Sequence, residues 1–379
     1  VTGNKRLKWI RPALYVLAAI AFAAVAYLVL APTGRYLLRA AWEEGKILAR
    51  REPITELVAD SATPPALRAK LNLVLAARAF ARDSLGLSTG QSFTTFSRLD
   101  RDTLVLVLSG AYRDQLKPYT WWFPVVGRVP YKGFFDFGQA HASERDLTER
   151  GFDAHLGAAS AFSTLGWFND PLLPTTLRAD SLTLANTVIH ELTHNTYYAP
   201  GGAVFNESFA NFVGSRGAER FFASRGQDAA AAEVVARWQD EKVLGRFWAD
   251  LYARVDSAFK AHPGDDARQV AERIAVRDSL FGEAKNKLVQ ELGPQLKTIS
   301  VRAIERVRFD NAILMSRRVY LTDLDAFDAV LATYGGDLKR AVAAIIAAAK
   351  ADKKGPFEAV KRLATAAPTA PPAAPVAPE

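Results

Sequence analysis

Residues 180 to 198 run Asp180-Ser181-Leu182-Thr183-Leu184-Ala185-Asn186-Thr187-Val188-Ile189-His190-Glu191-Leu192-Thr193-His194-Asn195-Thr196-Tyr197-Tyr198. The pattern predicts a helix over Leu182–Tyr198, with Asp180 or Ser181 as N-cap and the Gly201-Gly202 pair beyond its end. Thr187, Val188 and Ile189 make it a buried helix. Within it, His190-Glu191-Leu192-Thr193-His194 fits H-E-x-x-H. Positions i and i+4 of a helix share one face a turn apart, so both imidazoles can reach a single Zn2+ ion. Glu191 projects beside the metal, where its carboxylate can take a proton from a water polarised there. The competing reading is a helix with two ordinary surface or core histidines. Two buried imidazoles and a buried carboxylate would be costly without a metal, which weighs against it. The chain holds five histidines in 379 residues, so a chance match to a pattern that needs two is rare.

A catalytic zinc takes three protein ligands and keeps a fourth position open. After the motif, Pro200-Gly201-Gly202 reverses the chain, and Phe205-Asn206-Glu207-Ser208-Phe209-Ala210-Asn211 opens a helical run expected to return antiparallel beside the first. Glu207 is the first carboxylate after the motif and the expected third ligand. A solvated carboxylate in the first turn of a helix is the plainer alternative, favoured by the dipole. The apolar neighbours Val204, Phe205, Phe209 and Phe212 speak against full exposure. Asn211, one turn on, is placed to orient a ligand histidine. His141, His155 and His262 lie in polar, charge-rich sequence and read as surface residues.

Cysteine is absent, which excludes disulfides, a thiolate metal site and a cysteine nucleophile. With 49% hydrophobic and 23% charged residues, the chain can bury one large core or two modest ones. Part of the net charge of +8 sits in Lys5, Arg6, Lys8 and Arg11. Elsewhere the two signs mix, as in Arg145–Arg150 and Arg237–Lys242, and read as a solvated surface. No basic run with interleaved aromatics points to nucleic acid, and no nucleic-acid partner is expected.

Ala13–Ala31 carries no charge, and its nineteen residues span about 28 Å as a helix, close to a bilayer's hydrocarbon thickness. The basic residues before it stay on the cytoplasmic side, so the rest of the chain should face away from it. A cleaved signal peptide with Ala24-Val25-Ala26 as its site competes, but the apolar run continues through Tyr27–Leu30 and favours an uncleaved anchor. Helical spacing fills Thr33 to about Leu85, punctuated by Pro53 and Pro64-Pro65. Thr103–Leu108 reads as a strand, and Trp121–Gly133 as strand and turn. Helices dominate from Asn206 to about Lys350, with breaks near Gly226, His262-Pro263-Gly264 and Gly335-Gly336. Thr365–Glu379 is almost entirely Ala and Pro and reads as a disordered or polyproline-like tail.

The run Thr187–Gly214 resembles the bacterial predicted aminopeptidase family, a group of HExxH proteins. So do Trp122-Phe123-Pro124-Val125-Val126-Gly127 with Tyr131-Lys132-Gly133-Phe134-Phe135, and Ser163-Thr164-Leu165-Gly166-Trp167-Phe168-Asn169-Asp170-Pro171. Asn311-Ala312, Tyr320 and Gly335-Gly336-Asp337 complete a likeness that covers roughly Gly34 to Ala347. The resemblance implies a zinc peptidase of the glutamate-ligand (gluzincin) kind, exported and tethered to the cell envelope. Many members carry an N-terminal lipoprotein cysteine and cysteines around the Trp-x-Phe-Pro segment; this chain has neither. It also lacks the Gly-x-Met-Glu-Asn segment with which well-known gluzincin aminopeptidases hold the substrate amine, and Met315 is its single methionine.

The expected architecture is α+β and predominantly α-helical: an anchor or signal segment in 1–32, a zincin-like metallopeptidase domain with a small β-sheet in 33–364, and the tail in 365–379. The expected activity is zinc-dependent peptide-bond hydrolysis, an aminopeptidase anchored in the bacterial inner membrane and facing the periplasm. A zinc endopeptidase and a non-catalytic membrane-anchored scaffold with a structural metal site are the alternatives; Glu191, useless to a structural site, weighs against the scaffold. Glu191 is the candidate base. Tyr320 is preferred over Tyr197 and Tyr198 as donor to the developing oxyanion. Asp170 is the candidate for holding a substrate amine.

Overall fold

The computed structural model describes residues 5–98, 105–124, 127–158 and 171–365, and over these the chain is mostly helical with three small sheets. Helix α1 (Lys5–Leu30) meets α2 (Pro32–Ala49) at Ala31, and the axes bend there by 87°. Pro32 supplies the break because it has no N–H to continue the helical ladder. Among the described residues no single helix is long and apolar enough to cross a membrane. Leu14–Leu30 and Pro32–Ala49 pass that test only as the bent pair. Tyr15, Leu17, Phe22 and Leu30 of α1 are exposed.

The stretch expected to be helical up to Leu85 contains a short strand, β1 (Arg51–Pro53), ahead of α3 (Ile54–Ala59) and α4 (Pro65–Asp83). β1 pairs antiparallel with β2 (Thr95–Ser97), a long-range contact that periodicity along the chain does not encode. The expected strand Thr103–Leu108 is found as β3 (Leu106–Tyr112); Thr103 and Leu104 lie outside the described residues. It runs on to Tyr112 because its pairing partner does. The aromatic segment forms β4 (Trp121–Phe123), β5 (Gly127–Val129) and β6 (Tyr131–Phe134), followed by α5 (Phe137–Glu149) and β7 (Phe152–Ala158). β3 is the centre of an antiparallel sheet ordered β6-β3-β7, in register from Leu106↔Ala158 to Tyr112↔Phe152. Ala154 packs with Ala140 and Leu147 of α5, so strand alternation turns Asp153 and His155 to the other face.

The remainder is α6 (Pro174–Leu177), α7 (Ser181–Thr196), α8 (Ala203–Ala223), α9 (Asp228–Ala261), α10 (Ala267–Lys287), α11 (Val301–Glu305), α12 (Asn311–Tyr320), α13 (Leu324–Thr333), α14 (Leu338–Ala351) and α15 (Pro356–Thr365). The breaks after α8, α9 and α13 fall where glycine and proline predict them. A further interruption follows α10, where a π turn at Leu288–Leu292 runs into a 3₁₀ turn at Gly293–Gln295. The Ala/Pro tail lies outside the described residues except for Thr365, which ends α15.

Helices α7 and α8 sit in the main core. Val188, Ile189 and Leu192 of α7 and Phe205, Phe209 and Phe212 of α8 are fully buried against Leu71 of α4, Phe327 of α13 and Ile345 of α14. Phe212 stacks on Phe327 with ring centroids 5.4 Å apart. A second core joins Trp248, Leu251 and Val255 of α9 to Phe281 of α10 and Leu314 of α12.

The charge run Arg237–Lys242 is not the solvated surface its mixed signs suggested. Trp238 Nε1 and Lys242 Nζ both donate to Asp328 at 2.9 and 2.8 Å. Arg216 of α8 joins the same carboxylate at 2.8 Å. Asp240 is buried and accepts hydrogen bonds from the backbone N–H of Lys297 and Thr298. The Asp328 bonds tie α8, α9 and α13 together, and those of Asp240 tie α9 to the segment ahead of α11. Arg277 does the same for the sheet, donating to Asp153 at 2.8 Å, while the Asn311 N–H donates to Asp153 and its Nδ2 to the Tyr112 carbonyl, each at 2.8 Å. α12, which ends at Tyr320, is thereby fixed against β3 and β7.

Candidate metal centre

Helix α7 starts where Asp180, its N-cap, accepts the Thr183 N–H at 2.9 Å. It ends at Tyr197, which is extended. The reversal that follows is held by one side chain. Asn206 Oδ1 accepts the Ala199 N–H at 2.8 Å, and its Nδ2 donates to the Ala199 carbonyl at 2.9 Å. Helix α8 then runs back along α7, with Asn186 Nδ2 donating to Ser215 Oγ at 3.1 Å. Two glycines allow the approach. A Cβ at Gly214 would lie 2.6 Å from Asn186 Oδ1 and 3.2 Å from His190 Cβ, and one at Gly217 would lie 2.9 Å from Ile189 Cγ2.

This packing brings His190, His194 and Glu207 together, with one potential ligand atom from each lying within 4.8 Å of the others. The two Nε2 atoms are 3.2 Å apart. Glu207 Oε2 is 3.3 Å from His190 Nε2, and Oε1 is 3.5 Å from His194 Nε2. The three side chains are 14%, 18% and 25% exposed, so the cluster opens to solvent on one side. Burial alone would raise the Glu207 carboxyl, but the hydrogen bonds and charge of His190 and His194 reverse that and hold it at about 2. Burial pulls His194 down, whereas its bond to Glu207 and the charges of Glu207 and Glu191 carry it upward overall.

The donor set fits zinc. Ligands about 2.05 Å from a tetrahedral ion lie roughly 3.3 Å from one another; the two Nε2 atoms are 3.2 Å apart, and each lies 3.3 or 3.5 Å from a different oxygen of Glu207. Two imidazole nitrogens and one carboxylate also suit Zn2+ chemically. The buried Nδ1 of His194 has no hydrogen-bond partner among the described residues.

Glu191 is partly buried, makes no ion pair or hydrogen bond among the described residues, and acts electrostatically on both His194 and Tyr320. Tyr320 is 47% exposed at the end of α12. Burial of its phenol, then the charges of Glu207, Glu191 and Tyr131, push it up to about 12. Its segment is tied to α8, because Ser208 Oγ donates to the Val319 carbonyl at 3.2 Å and accepts the Thr322 N–H at 3.2 Å. Asn211 was expected to orient a ligand histidine. Its Nδ2 is instead committed to Glu241 Oε2 at 3.0 Å and the Tyr320 carbonyl at 3.4 Å. Tyr198 is exposed, its ring centroid 6.2 Å from that of His194. Asp170 lies outside the described residues.

Tyr320 and Asn211 also line a cavity of about 730 Å³ on the side of α12 facing α9 and the sheet. His155, read from the sequence as a surface residue, is part of its wall. Burial and the charges of Arg317 and Arg308 lower its pKa. Strand alternation is the signal that could have placed it. His141 and His262 instead pair with Glu144 and Glu272 at 3.4 and 3.2 Å. Glu241, also in the wall, is pushed up to about 7 by burial against the opposing bond from Asn211. Within its charge run nothing local distinguished it.

The family described as "Putative aminopeptidase" matches residues 35–359. Comparison with curated proteins and with solved structures returned no match.

Proposed function

The chain belongs to this aminopeptidase family, and we propose that it hydrolyses peptide bonds with a Zn2+ ion held by His190, His194 and Glu207. The observation that carries the metal is the convergence of two Nε2 atoms and one carboxylate at 3.2–3.5 Å. In this reading residues 33–364 form a gluzincin-type, zincin-like domain and the substrate is a peptide. A bound Zn2+ supplies Lewis acidity, polarising the scissile carbonyl and acidifying a water. The other steps belong to side chains. Glu191, one residue after the first ligand and free of competing partners among the described residues, accepts the water's proton and returns it to the leaving amine. Tyr320, kept protonated by its raised pKa, donates a hydrogen bond to the carbonyl oxygen as charge builds there. Ser208 and Asn211 position it through the backbone around it. Asp170 remains the candidate for the substrate's free amine.

The uncovered apolar side chains of α1 and the basic residues before Ala13 support a membrane anchor that leaves the catalytic domain on the periplasmic side of a bacterial inner membrane. The full-length zinc-loaded protein should cleave peptides with a free N-terminal amine, and Glu191→Gln should abolish it. Equal cleavage of N-acetylated peptides would make it an endopeptidase, and cleavage of neither would overturn the reading.

A further inference from the structure

The cavity beside the metal centre gathers three arginines and a histidine around few acidic groups. Arg306 follows α11, Arg308 precedes α12, Arg317 sits on α12 and His155 on β7; all four face the same 730 Å³ space. The guanidinium groups of Arg306 and Arg317 make no ion pair or hydrogen bond among the described residues. Arg308 has only Asp310, at 3.9 Å. Arg317 keeps an exposed surface, yet crowding around its guanidinium lowers its pKa with no acid to offset it. The acidic group of the described lining is Glu241, and it is held toward its neutral form by burial and bonded by Asn211. The three arginines are exposed at the rim, and a cleft lined by one sign of charge concentrates its field, so guanidinium groups gathered around one cavity mark a place for an anion that arrives from outside. Arginine's planar fork fits a carboxylate with two parallel hydrogen bonds.

The position of this cavity ties it to the chemistry. Tyr320 and Asn211 both line it, and Asn211 sits one turn after Glu207 on α8 with its Nδ2 donating to the Tyr320 carbonyl at 3.4 Å. A peptide whose scissile carbonyl sits at the metal can therefore extend past Tyr320 toward the arginines. We propose that the Arg306–Arg308–Arg317 cavity binds a carboxylate of the substrate, so that the enzyme selects peptides bearing a negative charge a short distance from the cleaved bond. The assignment of that carboxylate to a peptide rests on the peptidase reading. The charge can come from the chain's C-terminal carboxylate or from an Asp or Glu side chain.

The test measures binding without turnover. Full-length Glu191→Gln protein is titrated by calorimetry with a short peptide in three forms: free C-terminal acid, C-terminal amide, and amide with one internal Gln replaced by Glu. The expected result is that the acid binds about ten- to a hundredfold more tightly than the neutral amide. Arg306→Gln and Arg317→Gln together should erase that preference and leave amide affinity and circular dichroism unchanged. Arg317→Lys should retain part of it. If the internal Glu restores affinity to the amide, side-chain carboxylates serve; if not, the cavity reads the chain terminus. Equal affinity for all three peptides, no binding of any, or a preference that survives the double substitution would overturn the proposal. These outcomes separate from the catalytic reading: a carboxylate preference in a protein that hydrolyses nothing would leave the pocket standing, and hydrolysis indifferent to peptide charge would remove it alone.

Discussion

Asn206 brackets Ala199 from both sides, accepting its N–H at 2.8 Å and donating to its carbonyl at 2.9 Å. Both residues are buried, so no water can replace these bonds, and Glu207 is the next residue along the chain. Asn206→Ala should destabilise the protein by about 2–4 kcal/mol, because two buried backbone groups lose their partners. It should also weaken metal binding by freeing the turn that sets Glu207 against the two histidines. Urea unfolding of the metal-free protein and zinc titration of the folded protein check the two effects separately.

Gly214 makes a sharper steric test. A methyl group there meets Asn186 Oδ1 at 2.6 Å and His190 Cβ at 3.2 Å, so α8 must move off α7. Gly214→Ala should destabilise by about 1–3 kcal/mol and loosen the ligand set. Gly282, exposed in the C-terminal half of α10, is the control, since a Cβ there meets nothing within 4 Å. Gly282→Ala should stabilise by up to about 1 kcal/mol through helix propensity. Thermal melts of the two variants should move in opposite directions.

Glu241 predicts a pH dependence. Its carboxyl is raised to about 7 in the folded protein, above its ordinary value near 4.5. The unfolded chain therefore releases this proton first as pH rises, and the protonated form favours the fold. The contribution is complete below pH 4.5 and is lost as pH climbs through 7, amounting to at most about 3 kcal/mol. In the metal-free protein, Glu241→Gln should flatten the decline in stability between those pH values. A parallel decline in wild type and variant would show that Glu241 does not titrate in this range.

Tyr320→Phe removes one hydroxyl at the end of α12 without disturbing the backbone bonds from Ser208 and Asn211. Loss of an oxyanion donor should lower kcat about a hundredfold with little change in KM. Zinc content should not change. A fall in zinc content instead would mean that the residue supports the site and not the transition state.

The convergence of His190, His194 and Glu207 was legible because helical periodicity does much of its geometry locally: His190 and His194 share a face by spacing alone. Glu207 needed one further step, a Pro-Gly-Gly reversal followed by a second helix. The helical breaks at Gly226, His262-Pro263-Gly264 and Gly335-Gly336 were equally local. What stayed hidden depends on contacts between distant segments. The pairing of Arg51–Pro53 with Thr95–Ser97 has no periodic signature. Asn211 has a face that spacing assigns correctly, but its bonds to Glu241 and Tyr320 are set by where α9 and α12 pack. Arg237–Lys242 looked solvated because its partners, Asp180, Asp328, Lys297 and Asn211, all lie elsewhere in the chain. His155 was misread for the same reason, since the helix closing over that face of the sheet begins more than 150 residues later.

Elemental analysis of the purified full-length protein after zinc exposure and dialysis tests the central claim most directly. The predicted result is one zinc per chain, kept in Glu191→Gln and Tyr320→Phe and lost in His194→Ala and Glu207→Ala. A folded wild type that retains no metal, or zinc retained by both ligand variants, would contradict it.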